Sequence, residues 1–173
     1  MRAGEFAFTA QDARRANGDL GNTSAEDQAL RTVENLDLAL KTTGLDRGQV
    51  VSLMVYLSEY ADASEVAQVL QTTFGKSAES YPATTLIGVA GLEGGCSVRM
   101  DAIATSSRDR TTIQLKDLPL APGSRCHGVR VGNFFFLAGI DAAEADGQVG
   151  SLTTIQSQTT AVLGRIKRIL QTQ

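Results

Sequence analysis

Residues 24–57, SAEDQALRTVENLDLALKTTGLDRGQVVSLMVYL, contain the change of period that decides the fold. Leu30, Val33, Leu36 and Leu40 recur at spacings of 3 and 4, which puts their side chains on one face of a helix. Ser24 precedes Asp27 as a capping-box-like start, and Gly44 stops a helix within residues 24–43. From Gln49 to Leu57 the pattern turns to Val, Leu and Tyr, continuously apolar at Leu53-Met54-Val55. That composition fits a strand covered on both faces.

Working outward, Asp62 or Ser64 caps a second helix striped by Val66, Val69, Leu70 and Phe74 and ended by Gly75. Strands are expected at 83–92 and 97–105, joined through Glu93-Gly94-Gly95 as a hairpin. Residues 106–118 are polar and charged and lead to Pro119, Pro122 and Gly123, the composition of a linker, with a short strand at 111–115. Arg108, Arg110 and Lys116 lie beside Asp109 and Asp117 there, as a solvated cluster does. Residues 125–131 and 134–139 form a strand pair around Gly132-Asn133, and Ile155, Val162, Leu163, Ile166 and Leu170 stripe a last helix. The order strand-strand-helix-strand-helix-strand-strand places two helices on one face of a mixed sheet, an α+β layer.

The chain also repeats itself. Gly4-Glu5-Phe6-Ala7-Phe8-Thr9 is matched by Gly132-Asn133-Phe134-Phe135-Phe136-Leu137, Gly18 by Gly147, Thr23-Ser24 by Thr153-Thr154, Gln28 by Gln158 and Leu40 by Leu170. The displacement, about 130 residues, is a domain length rather than a solenoid period. Residues 1–105 read as a first unit lacking its first strand, 106–119 as linker, and 120–173 as the opening of a second unit. A strand pair and one helix bury too little to stand alone. The second unit is therefore expected to associate with the rest of a longer chain or to complete a neighbour in an oligomer.

Composition removes several classes of function. Among 173 residues, 42% are hydrophobic and 20% charged, which describes a chain with a core and not a disordered one. A net charge of −3 argues against phosphate neutralisation, so nucleic acid is not an expected partner. No apolar run reaches membrane-spanning length and the first residues lack a signal-peptide core, so no membrane partner and a cytoplasmic location are expected. Two cysteines 30 residues apart and one histidine give no metal set. No cofactor is implied.

The stretch from Phe6 to Ala104 resembles the Rid (RidA/YjgF) family. The resemblance rests on the glycine-entered strand, Glu34-Asn35-Leu36, Val50–Leu57, Phe74, Tyr81-Pro82-Ala83 and Asp101-Ala102-Ile103-Ala104. The opening recurs in Ala121-Pro122, Arg130-Val131-Gly132-Asn133, Ala138-Gly139 and Gln158-Thr159. The resemblance implies a chorismate-mutase-like mixed sheet assembling into a three-domain barrel, with small-molecule pockets between domains. It further implies enamine or imine deamination, with an Arg directly after the Pro-Ala pair gripping a substrate carboxylate. Thr84 holds that place here, and a hydroxyl cannot supply the fork. The family's acidic residue early in the last strand falls on Arg99, the second acidic position on Asp101, and the Tyr-Ser-Gln run on Arg125-Cys126-His127.

The candidate catalytic residues are thus Cys126, His127 and Asp101, and the candidate substrate-binding residues Thr84, Arg99 and Arg125. Neighbours on a strand point to opposite faces, so Cys126 and His127 cannot form a dyad with each other, and each needs a partner from elsewhere. The alternative is that Cys126 packs as a small apolar residue and His127 lines the cleft or the surface. Arg99 and Asp101 share the face opposite the core, either lining an interdomain pocket or compensating each other as an ion pair. The function expected is a small-molecule hydrolase or deaminase acting on a C=N or C–N bond in an interdomain cleft. The alternative is a non-catalytic ligand-binding or assembly module of the same fold.

Overall fold

The computed structural model describes all residues except 22, 76, 145 and 173. Helix α1 (Ala25–Lys41) begins where Ser24 Oγ accepts from the Asp27 N–H at 3.1 Å. Ala25, Ala29, Val33, Leu36 and Leu40 are buried along it. Leu30 lies outside this stripe, 40% exposed, because at about 100° per residue it stands one step around the helix from Ala29, on the flank of the buried face. Gly44, at φ +76°, lets the chain reverse after the helix.

Strand β1 (Arg2–Ala3) pairs antiparallel with β2 (Phe6–Asp12). Strand β3 (Val50–Leu57) leads through α2 (Ala63–Phe74) to β4 (Ala83–Gly88), which runs parallel to β3. Val66, Val69, Leu70 and Phe74 are all buried, as their spacing predicts. The hairpin expected between β4 and β5 (Val98–Thr105) does not form, since the sheet order is β1-β2-β5-β3-β4. The crossover through α2 leaves β4 on the outer edge. Strand β5 then fills the slot between β2 and β3, where it gains two antiparallel partners instead of one. Both helices cover one face.

The other face is only partly covered, contrary to the expectation of a strand enclosed on both sides. Val51 is buried there, but Met54 is 38% exposed. The covering element is a second sheet of β6 (Arg110–Ile113), β7 (Gly128–Val131) and β8 (Phe134–Leu137). Phe6 of the first sheet meets the rings of Phe134 and Phe136 edge-on, with centroids at 5.0 and 5.7 Å. Val51, Ala83, Cys126, Val129, Val131 and Ala138 complete this small core. Arg110 is not part of a solvated cluster: its Nη2 donates to Tyr81 O at 2.8 Å and its Nη1 to Gly48 O at 3.1 Å, tying the connector to the first sheet. Helix α3 (Ile155–Leu170) closes the chain. No helix among the described residues is long and apolar enough to cross a membrane.

One set of hydrogen bonds occurs twice. Asn35 Nδ2 donates to Asp12 O and Arg14 O, and Arg165 Nη1 donates to Asp141 O and Ala143 O. The Arg14 N–H meets Asp12 Oδ1 as the Ala143 N–H meets Asp141 Oδ1. Bonds from Arg15 N to Asp19 O and from Gly18 N to Arg15 O are matched by Glu144 N to Gln148 O and Gly147 N to Glu144 O. Ser24 and Thr154 cap their helices through the same N–H position.

Gln28 locks α1 to the start of β5. Its Oε1 accepts from the Ser97 N–H at 2.7 Å, and its Nε2 donates to Ser97 Oγ and Thr23 O. Gln28→Leu strands a Ser97 N–H in the interior, so a loss of about 1–3 kcal/mol is expected, read as a lower urea midpoint at unchanged m-value.

Candidate functional site

Strand β4 is an edge, and its free carbonyls need partners. Residues 121–139 supply them: Ser124 Oγ donates to Thr84 O at 2.6 Å and the Gly139 N–H donates to the same oxygen at 3.1 Å. Two glycines permit this approach. A Cβ at Gly123, already at φ +76°, would lie 2.6 Å from Leu86 Cδ1, and one at Gly139 would lie 3.1 Å from Thr85 Cγ2. The Tyr81 hydroxyl adds a bond to Gly123 O at 2.9 Å, and burial raises its pKa.

Beside this seam lies a cleft. Thr85, Leu86, Pro122, Gly139 and Asp141 bound a chamber of about 180 Å³. Tyr60, Pro122 and Asp141 continue into an adjoining chamber of about 520 Å³ that Leu120 and Glu144 also line. Asp141 Oδ1 accepts from the Ala143 N–H at 3.1 Å and stands 4.0 Å from Arg165, while Glu144 pairs with Arg165 at 2.8 Å. The carboxylate of Asp141 is held by these contacts and stays half-exposed. The chemistry available is two carboxylates, Asp141 and Glu144, the Tyr60 phenol and the Thr85 hydroxyl. Sequence reasoning missed Asp141 and Tyr60, although Asp141 follows the Ala138-Gly139 pair two residues on.

The residues singled out by sequence fall in three places. Cys126 is buried, with Sγ 3.8 Å from Pro82 O, and burial pushes its thiol up to about 11. It is protonated near neutrality and no nucleophile there. His127 is buried with both ring nitrogens in use: Nδ1 accepts from the Leu115 N–H at 3.1 Å, so Nε2–H donates to Pro119 O at 3.2 Å. It pins the connector. Arg125 reaches away to Gln71 Oε1 at 2.8 Å.

Thr84 stands opposite Leu53 in the sheet, and paired residues share a face, so its side chain points under the helices. Its Oγ1 donates to Pro82 O, and only its carbonyl meets the seam. Arg99 and Asp101 stand opposite Tyr56 and Met54 on the other face, and they pair at 3.2 Å. The structure therefore brings Arg99 to Asp101, and the Thr84 backbone to Ser124, but it does not bring Thr84's hydroxyl to Asp101. Near Arg99, Asp12 is held below the usual carboxylate range mainly by its hydrogen bond from Arg14. On the same open face, Phe8, Ser52, Met54, Asp101 and Ile103 line a groove of about 470 Å³. Among the described residues, no group of His, Cys, Asp and Glu is arranged to hold a metal.

Residues 1–106 match the family described as endoribonuclease L-PSP. Protein DfrA of Myxococcus xanthus is 35% identical over 79 residues, 46% of this chain and 58% of that one. TdcF of Escherichia coli K12, which carries the name of a reactive intermediate deaminase, is 26% identical over 82 residues, 47% of this chain and 64% of that one. The chain thus spans less than two thirds of the length of either relative. The crystal structure of E. coli TdcF with bound serine superposes with a TM-score of 0.57 at 23% identity, covering 62% of this chain and 85% of that one. The E. coli YjgF gene product gives 0.56 at 20% identity, covering 61% and 84%. These two share the fold. The match over residues 1–106, more than half of the chain, assigns the protein: it belongs to the endoribonuclease L-PSP family, the Rid (RidA/YjgF) family of the resemblance.

Proposed function

We propose that this chain is a Rid-type hydrolase or deaminase, acting on a small molecule with a C=N or C–N bond in the cleft beside β4, without a carboxylate-gripping arginine. The observation that carries the reading is the cleft itself, in which the Asp141 carboxylate, held by the Ala143 N–H, shares the lining with Tyr60, from the turn before α2, and Thr85 of β4. In this reading residues 1–105 and 120–173 are two units of one design joined by 106–119. The twice-occurring clamp of Asn35 and Arg165 supports it. The name that TdcF carries supports a small, nitrogen-bearing ligand.

Asp141 takes a proton from water as the water oxygen bonds to the imine carbon, and hands that proton to the nitrogen, which regenerates the carboxylate. Asp141 then carries the hydroxyl proton of the resulting carbinolamine to its nitrogen as the C=O bond forms and the C–N bond breaks, so one water is consumed and one ammonia leaves. Tyr60 and Thr85 donate hydrogen bonds to the heteroatoms. Cys126 and His127 serve packing and the connector. Arg99 and Asp101 belong to the open face of the first sheet, which a further unit covers to close a three-domain barrel. RNA cleavage is set aside because the chain carries −3 and its arginines at the seam are spent on Gln71, Tyr81 and Gly48.

A second reading, ligand binding without turnover, is favoured by one observation: the Thr84 hydroxyl points away from the cleft into Pro82 O. Turnover separates the two. Asp141→Asn is expected to lower kcat for imine hydrolysis, measured as ammonia release, about 10²-fold or more, and an unchanged kcat would exclude Asp141 from the chemistry. Cys126→Ala is expected to leave kcat within about twofold, because the thiol is protonated and walled in; a loss like that of Asp141→Asn would restore the thiol to the mechanism. Light scattering is expected to give an oligomer, and Met54→Arg, placed in the open groove, to shift it toward smaller species; an unchanged mass would mean that this face is not an interface.

A further inference from the structure

Arg165 does more than the matching Asn35 of α1. The neutral amide of Asn35 satisfies Asp12 O and Arg14 O at 2.7 and 3.0 Å, so two carbonyls at this place need no charge. Arg165 satisfies Asp141 O and Ala143 O at 2.9 and 2.6 Å and then reaches further, with Nη2 donating to Glu144 Oε1 at 2.8 Å and Nη1 standing 4.0 Å from Asp141 Oδ1. Its side chain is 12% exposed, against 48% and 61% for the two carboxylates it serves. Placing a guanidinium in so little water is costly unless its charge is answered. Both answering groups line the larger chamber of the cleft, and Arg165 does not.

The direction from which the charge arrives also differs between the two clamps. Arg14 grips Asp12 with Nε and Nη2 on both carboxylate oxygens, at 2.7 to 3.1 Å, and holds that carboxyl below its usual range. Ala143 stands at the place of Arg14, and it offers Asp141 an N–H at 3.1 Å and no side-chain charge. The Asp141 carboxylate is thus left open to the chamber, with its cation set in the wall.

We propose that Arg165 is a positioning residue for the cleft: from outside the chamber it keeps Asp141 and Glu144 ionised together and fixes the segment that presents Asp141 to the ligand. The ionisable groups of the chamber are Tyr60, Asp141 and Glu144, with Arg165 against the last two. Two carboxylates in one partly desolvated space each favour protonation of the other, and a guanidinium against both opposes it. A group that takes a proton from water has to be ionised at the working pH. The proposal rests on the cleft reading, to which it adds what holds the base in its charged form.

The test is the pH profile of ammonia release by the full chain, with carbon-13 titration of the Asp141 and Glu144 carboxyls by NMR as a second readout. Arg165→Gln supplies an amide, as Asn35 does, without the charge. The acid limb of kcat/KM and both titrations are expected to move up by about one pH unit, since a carboxylate that loses its cation is half protonated at a tenfold lower proton concentration. Arg165→Lys restores the charge and is expected to keep the limb at the wild-type pH. Glu144→Gln touches neither carbonyl of the clamp and is expected to move the limb down, which keeps the test decisive if Arg165→Gln does not fold. A folded Arg165→Gln with wild-type limb and titrations overturns the proposal, as does a limb that moves equally in Arg165→Lys or stays in place in Glu144→Gln. Displaced titrations without ammonia release at any pH refute the cleft reading and leave the role of Arg165 toward the two carboxylates standing.

Discussion

The carbonyl of Thr84 is the point on which the molecule turns. A parallel strand at the edge of a sheet presents a row of unpaired groups, and here the crossover through α2 leaves β4 in that position. The chain answers with Ser124 and Gly139 on one oxygen and with two glycines that admit the backbone. Once those bonds are made, Phe134 and Phe136 come to rest against Phe6, Cys126 is sealed beneath Pro82, and His127 is fixed against the connector. The cleft is the space left over along the same seam. Its volume and its lining follow from how an edge is covered.

The parts of this arrangement set by local periodicity could be read from the residues. The α2 stripe, the cap at Ser24 and the turns at Gly44 and Gly75 depend on spacing and backbone freedom alone. The place of β5 could not be read that way, because strand order is decided by which slot offers more partners, and Glu93-Gly94-Gly95 looks the same in a hairpin as in a longer connection. The site was harder still. Cys126 and His127 attract attention by residue type, yet what they do is decided by Pro82, Leu115 and Pro119, whose nearness is a tertiary fact. Asp141 passed unnoticed because an isolated carboxylate after a glycine has no motif.

The paired clamps separate geometry from identity. Asn35 and Arg165 have different charge, length and shape, yet each spans two carbonyls on the strand that precedes its helix. What is kept is the requirement that those buried or half-buried carbonyls be satisfied. The change from amide to guanidinium still has a consequence. It brings a positive charge to Asp141 and Glu144, whereas at the Asn35 clamp Asp12 is held by the neighbouring Arg14 instead.

That charge is largely spent. Arg165 serves two carbonyls and Glu144, and Arg110 and Arg125 are turned to Gly48, Tyr81 and Gln71. In the proposed reading a substrate carboxylate entering the cleft would meet Asp141 and Glu144, beside an Arg165 already engaged, and like charges in a partly desolvated site repel more than they would in water. A neutral imine meets the opposite situation in that reading, since its nitrogen is protonated as water adds and the carboxylates of Asp141 and Glu144 line the chamber. In the reading proposed above, Thr84 in the arginine's place and acid at 141 and 144 point in one direction: a cleft that disfavours anionic ligands and leaves a carboxylate and water for the chemistry.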